Sequence, residues 1–270
     1  MKANIQFVNI ILAVLIVCRH YFFYGGFGID TEFGPNQPFF AYLLIPVTGM
    51  IGASFLWRSV HSINVRKLTM VKIFILILAS VFLNVYVFKI DESLFTYSVY
   101  DDSRRPVFLI LVPILLSVLL CTTFKKKTHI IIFTVCLFIL YGYTNNFVVH
   151  YLCIFCIIYL FSPYLNSKRI SIYYYLIVYV SCSLTFFINY ERLNIIVEIV
   201  WVISSLGIIY GASEFVRLNL FRFSILEFYV LQAVFFYVMK YMDVGVEYWV
   251  PLVLLSSLSC AWVLKGFQND

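Results

Sequence analysis

Apolar runs long enough to cross a bilayer follow one another along the whole chain, separated by short polar breaks. A helix needs about 20 apolar residues to cover roughly 30 Å of hydrocarbon. Backbone placed in lipid must satisfy its own N–H and C=O groups, so runs of this kind fold as helices. They fall near 5–24, 38–57, 69–88, 106–124, 129–145, 147–163, 171–189, 194–212, 221–241 and 247–264. Those ten runs use up the 270 residues and leave no stretch for a soluble domain. Composition agrees: 12% of residues are charged and 63% hydrophobic, whereas soluble domains carry roughly 25% charged residues. The expected fold is an all-α integral membrane protein of about ten transmembrane helices. It forms a single polytopic domain over 1–270, with the lipid bilayer as its solvent. The fifth and sixth runs are the shortest, because Thr144-Asn145-Asn146 cuts between them; a tilted or partly crossing hairpin is a second possibility there.

Charge gives the expected helices a direction. Lys and Arg collect on the cytoplasmic side because translocating them is disfavoured. With both termini inside, 13 of the 19 basic residues fall on inner segments, among them Arg58, Arg66, Lys67 and the Lys125-Lys126-Lys127 cluster. The outer side takes 9 of the 13 acids, including Asp30, Asp91, Asp101 and Glu247. Reversing the chain would place the lysine cluster outside, so the N-in, C-in orientation is expected. The net charge of +6 then serves orientation, and nucleic acid is not an expected partner. Lys2 and the run after it imitate a signal peptide, but no small-x-small cleavage site follows, so the segment reads as a retained first helix. The seven cysteines lie in or beside apolar runs. Cys153 and Cys156 form a C-x-x-C with no second pair or histidine cluster to complete a zinc site, so no metal is expected.

Polar residues inside the runs carry the chemical information. His20 lies toward the outer part of helix 1, eleven positions after Asn9. Gln232 lies mid-way along helix 9, with Tyr229 one turn before it and Glu227 five residues before it. Counted from the cytoplasmic ends, His20 and Gln232 differ in height by roughly 6 Å, so both can face one polar cavity. Glu198 sits about one turn inside the outer end of helix 8, where it can snorkel or pair; Arg222 is a conceivable partner for Glu227. The plain alternative for His20 is an interfacial histidine beside Tyr21 and Tyr24.

The stretch VNIILAVLIVCRH, from Val8 to His20, resembles the first helix of acyltransferase family three, the ten-helix membrane acyltransferases. In that family an Arg precedes a His by eleven positions; here Asn9 stands at the Arg position. Later features match in outline: Pro38-Phe39-Phe40, then Pro46-Val47-Thr48-Gly49, then Arg58 and Arg66-Lys67. Near the end the family shows Ser, then Tyr, two apolar residues and His. Here Ser224 is followed by Tyr229-Val230-Leu231-Gln232, with Gln232 at the His position.

The resemblance implies an enzyme that takes an acyl group, usually acetyl, from acetyl-CoA. The acceptor would be a hydroxyl of a cell-envelope polysaccharide or its lipid-linked precursor, at the cytoplasmic (inner) membrane. It implies His20 as general base or acyl relay. Asn9 takes the cofactor-steadying position, Arg66 and Lys67 supply cations for the cofactor's phosphates, and Tyr229, Gln232 and Glu227 line the substrate cavity. Other classes stay open: a glycan polymerase or flippase, a small-molecule transporter, or a catalytically inactive relative. A repeat-unit polymerase usually carries a large outer loop, and none here exceeds twenty residues. Transporters often show two related halves; Pro46 and Pro251 make no convincing pair.

Overall fold

A computed structural model describes residues 4–24, 44, 46–59, 66–82, 110–124, 126–167, 171–188, 195–213, 215–216 and 223–266. These residues are all-α, with no strand among them. Their helices are α1 (Ile5–Tyr24), α2 (Val47–Ser59), α3 (Arg66–Phe82), α4 (Leu111–Thr123), α5 (Lys127–Thr144) and α6 (Phe147–Ser167). They continue with α7 (Ile172–Ile188), α8 (Ile195–Ser213), α9 (Ile225–Tyr241) and, after a 3-10 turn at Val246–Tyr248, α10 (Trp249–Gly266). Each falls on one of the ten apolar runs, with ends shifted by a few residues.

The shifts have local causes. The second run was expected from 38; α2 begins at Val47, directly after Pro46, because a residue with no N–H cannot donate within a helix. Residues 38–43 lie outside the described set. Pro113 and Pro251 fall in the first turns of α4 and α10, where their missing donor is not needed. The α5–α6 turn is tighter than the sequence suggested. Asn145 adopts the left-handed conformation (φ 47°) and donates its N–H to the Tyr141 carbonyl. Asn146 then caps α6, its Oδ1 accepting from the N–H groups of Val148 (2.9 Å) and Val149 (3.3 Å). Asparagine suits both tasks, since its short amide tolerates the left-handed region and replaces a missing backbone acceptor. The helices it joins reach 18 and 21 residues.

The chain divides into two compact units: residues 1–47 with 206–270, and residues 48–205. In the first, α9 packs on α10 and α1 packs on both. Val8, Leu12 and Ile16, four residues apart on α1, are fully buried, as are Phe228 and Phe236 on α9 and Val253 on α10. Asn4 caps α1 through Oδ1, which accepts from the N–H groups of Gln6 and Phe7. Trp249 closes the α9–α10 turn, donating its indole N–H to the Val244 carbonyl at 2.7 Å.

In the second unit, α6 packs against α4 and α5, and α4 against α3. Ile73, Ile114, Phe155, Ile158, Trp201 and Val202 are fully buried there. Two glycines let α2 approach closely. A Cβ on Gly49 would meet Val202 and Tyr151, and one on Gly52 would run into the Phe155 ring.

The helices are apolar outside as well as inside. Val71, Phe74, Ile75 and Leu78 of α3 are exposed, as are Ile131, Ile132, Val135 and Ile139 of α5 and Leu176, Ile177 and Leu184 of α7. By length and composition α5 and α8 are long and apolar enough to cross a membrane; the apolar stretches of α1, α3, α4, α6, α7, α9 and α10 are shorter.

Candidate functional site

Eleven residues separate Asn9 from His20, just over three helical turns, so the two project from nearly the same face of α1. That face is the buried one: Asn9, Arg19 and His20 share it with Val8, Leu12 and Ile16. The Asn9 amide donates through Nδ2 to the Phe223 carbonyl, just ahead of α9, at 3.0 Å. Further along the same pair of helices, Gln232 of α9 donates through Nε2 to Nδ1 of His20. The two contacts lie roughly 16 Å apart along α1 and about 13 Å apart along α9, so the helices run side by side in the same direction.

The His20 imidazole is enclosed. Its residue is 3% exposed and Gln232 is 0%. Tyr229, one turn before Gln232, sets its ring against the imidazole with centroids 5.8 Å apart and planes tilted by 58°. Arg19 is also buried and donates from Nη1 to the Leu44 carbonyl at 3.0 Å, which fixes a cation on α1 beside His20. Among the described residues, Oε1 of Gln232 and Oδ1 of Asn9 have no hydrogen-bond partner.

His20, Gln232 and Tyr229, read from the sequence as candidates for one cavity, are therefore in contact. Asn9 braces the same helix pair two turns or more away, and its N–H is committed to a backbone carbonyl. A neutral amide so engaged is poorly suited to hold an anionic group. Glu227 is buried in the first turn of α9; Arg222, its suggested partner, lies outside the described residues. Arg66 and Lys67 open α3, and their side chains lie outside the described set.

Gln232 supports the ring of His20 without competing for its proton. An amide neither takes nor gives a proton in the ordinary pH range, so it orients the imidazole and leaves proton transfer to it. As placed, the amide N–H donates to Nδ1, and the ring proton sits on Nε2. With the amide turned over, Oε1 accepts from Nδ1–H and Nε2 keeps a lone pair for a substrate proton. Which amide atom faces a ring is assigned from the hydrogen-bond network, and the same side chain serves either tautomer.

A second polar cluster lies in the unit spanning 48–205. Nε2 of His150 on α6 is 2.5 Å from Oε2 of Glu198 on α8. Glu198 thus pairs rather than snorkels, and its partner is a histidine the sequence reading did not single out. Tyr141 and Tyr151 face the same imidazole, with centroids at 4.9 and 5.1 Å. A signal for the pairing exists in the sequence: each residue is the fourth of its helix, so both lie at the same depth.

Comparison with known proteins finds no match: no family model, no curated protein and no solved structure is similar to this chain.

Proposed function

We propose that the chain is a polytopic membrane acyltransferase, N-in and C-in at the cytoplasmic membrane. It would pass an acetyl group from acetyl-CoA to a hydroxyl of an envelope polysaccharide or its lipid-linked precursor. Membrane residence is supported by the exposed apolar faces of α3, α5 and α7. Facing water, so many apolar side chains would be costly to hydrate; facing lipid they need no cover. The observation that carries the catalytic part is the contact between His20 and Gln232, residues 212 positions apart that meet inside a closed apolar layer. Burying an imidazole with a dedicated orienting amide has a cost, since polar groups leave water. A proton-transfer role explains why the cost is met.

In this reading His20, held at Nδ1 by Gln232 Oε1, accepts the acceptor hydroxyl's proton on Nε2 as its oxygen attacks the thioester carbonyl. The same Nε2 returns the proton to the departing thiolate, so the imidazole ends as it began. Acetyl-CoA supplies the activated acyl group. Tyr229 limits the space over the imidazole and excludes water that would hydrolyse the thioester. Arg19 holds a buried cation on the same helix, its Nη1 committed to the Leu44 carbonyl.

His20→Ala is the direct test. Mass analysis of the envelope glycan should show complete loss of the O-acyl group, with the variant present in the membrane at wild-type level. Undiminished acylation in that variant would remove His20 from the chemistry.

A further inference from the structure

The His150–Glu198 pair has no part in the chemistry above, and its construction points to a task of its own. His150 is 0% exposed and Glu198 1%. The ring N–H at Nε2 donates to Oε2 of the carboxylate. The other ring nitrogen, Nδ1, is buried and has no partner among the described residues. Each buried nitrogen or oxygen without a partner is costly. This pair leaves half of the imidazole unanswered.

Charge narrows what that half does. A neutral imidazole beside an ionised carboxylate seals one negative charge into an apolar layer, which is costly because the charge leaves water. The groups that could offset it are few. Tyr141 of α5 and Tyr151 of α6 face the ring, and Cys153 follows one turn along α6. On the neighbouring helices, residues 48–54 of α2 and 111–120 of α4 include no titratable side chain. Among the described residues, His150 is the cation available to Glu198. One added proton on Nδ1 makes the pair neutral, whether the shared proton rests on Nε2 or on Oε2.

The backbone N–H of His150 bonds to the Asn146 carbonyl at 3.0 Å, so the residue lies about one and a half turns from the exposed Thr144-Asn145 corner. We propose that His150 and Glu198 form a reversible proton-binding site. Nδ1 of His150 takes up and releases the proton, and Glu198 holds the opposite nitrogen and supplies the counter-charge. In the loaded state Nδ1–H and the shared Nε2–H···Oε2 bond are both present. On release the Nδ1 proton passes to water or to an acceptor oxygen beside it, and no other bond changes. Coupled His–carboxylate pairs within membrane helices are the usual currency of proton relays, and this pair has the composition and sealing of one. The inference does not depend on acyl transfer.

The test uses the full chain in bilayers or detergent, with its four histidines labelled with heavy nitrogen for nuclear magnetic resonance. The His150 signals are those lost in His150→Gln. Nδ1 should pass from protonated to unprotonated as pH is raised while the protein stays folded. In Glu198→Gln, which keeps the shape and the acceptor oxygen but not the charge, Nδ1 should be unprotonated throughout. If Glu198→Gln does not fold, Glu198→Asp, which keeps the charge, should retain the transition. A wild-type Nδ1 fixed in one state across the range would overturn the proposal. So would a transition that Glu198→Gln leaves unmoved, or one that Glu198→Asp abolishes.

Discussion

At the scale of single residues, Gln232 is the informative side chain. The ring it supports is sealed from water, so removing the amide cannot be repaired by solvent. Gln232→Leu should remove a hydrogen-bond partner from the buried His20 ring, at a cost of about 1–3 kcal/mol in stability. A lowered melting temperature of the purified protein in detergent would register it, and an unchanged one would show that the contact is not formed. The meeting of His20 and Gln232 was foreshadowed by counting depth along two helices, which needs only the rise per residue. Their direct contact was not, because depth says nothing about which helices are neighbours. His150 was passed over although the same count applies: it and Glu198 stand fourth in α6 and α8. A lone carboxylate near a helix end has a simple explanation in snorkelling, and that explanation hid the partner 48 residues away.

At the scale of elements, glycines separate crowded helix faces from open ones. Gly52 faces the ring of Phe155, which is fully buried and has nowhere to retreat. Gly52→Ala should therefore destabilise by roughly 1–3 kcal/mol through overpacking. Gly142 on α5 has nothing within 4 Å of its added Cβ, so Gly142→Ala should stabilise by about 0.5–1 kcal/mol through reduced backbone freedom. Unfolding of the two variants in parallel checks both signs. Helix positions were legible because apolar length is a strong signal that survives tertiary context. Helix ends were less so, as their placement at Val47 or Asn145 depends on proline and asparagine chemistry acting over one or two residues. The glycine face of α2 was not legible at all, since a Gly-x-x-Gly spacing has meaning only when the opposing helix is known.

For the molecule as a whole, the all-helical architecture followed from the density of apolar residues. The division at 47/48 and 205/206 did not, because nothing in composition changes there. The proposed orientation has its own test. Lys126 precedes α5 and Asp243 lies in the α9–α10 turn, both exposed. In intact cells Asp243→Cys should react with a membrane-impermeant maleimide, and Lys126→Cys only after the membrane is opened; the opposite pattern would invert the chain.

The pairing of α1 with α9 also has a consequence in time. His20 is made 212 residues before the amide that holds its ring. The helices of the 48–205 unit find many of their neighbours within a short stretch of chain, as α5 and α6 do across a two-residue corner. Contacts so local form early, and those between distant segments wait. During synthesis, then, α1 waits for this partner until α9 has been made. The chemistry proposed for His20 would then be withheld from every copy in which α9 has yet to be made.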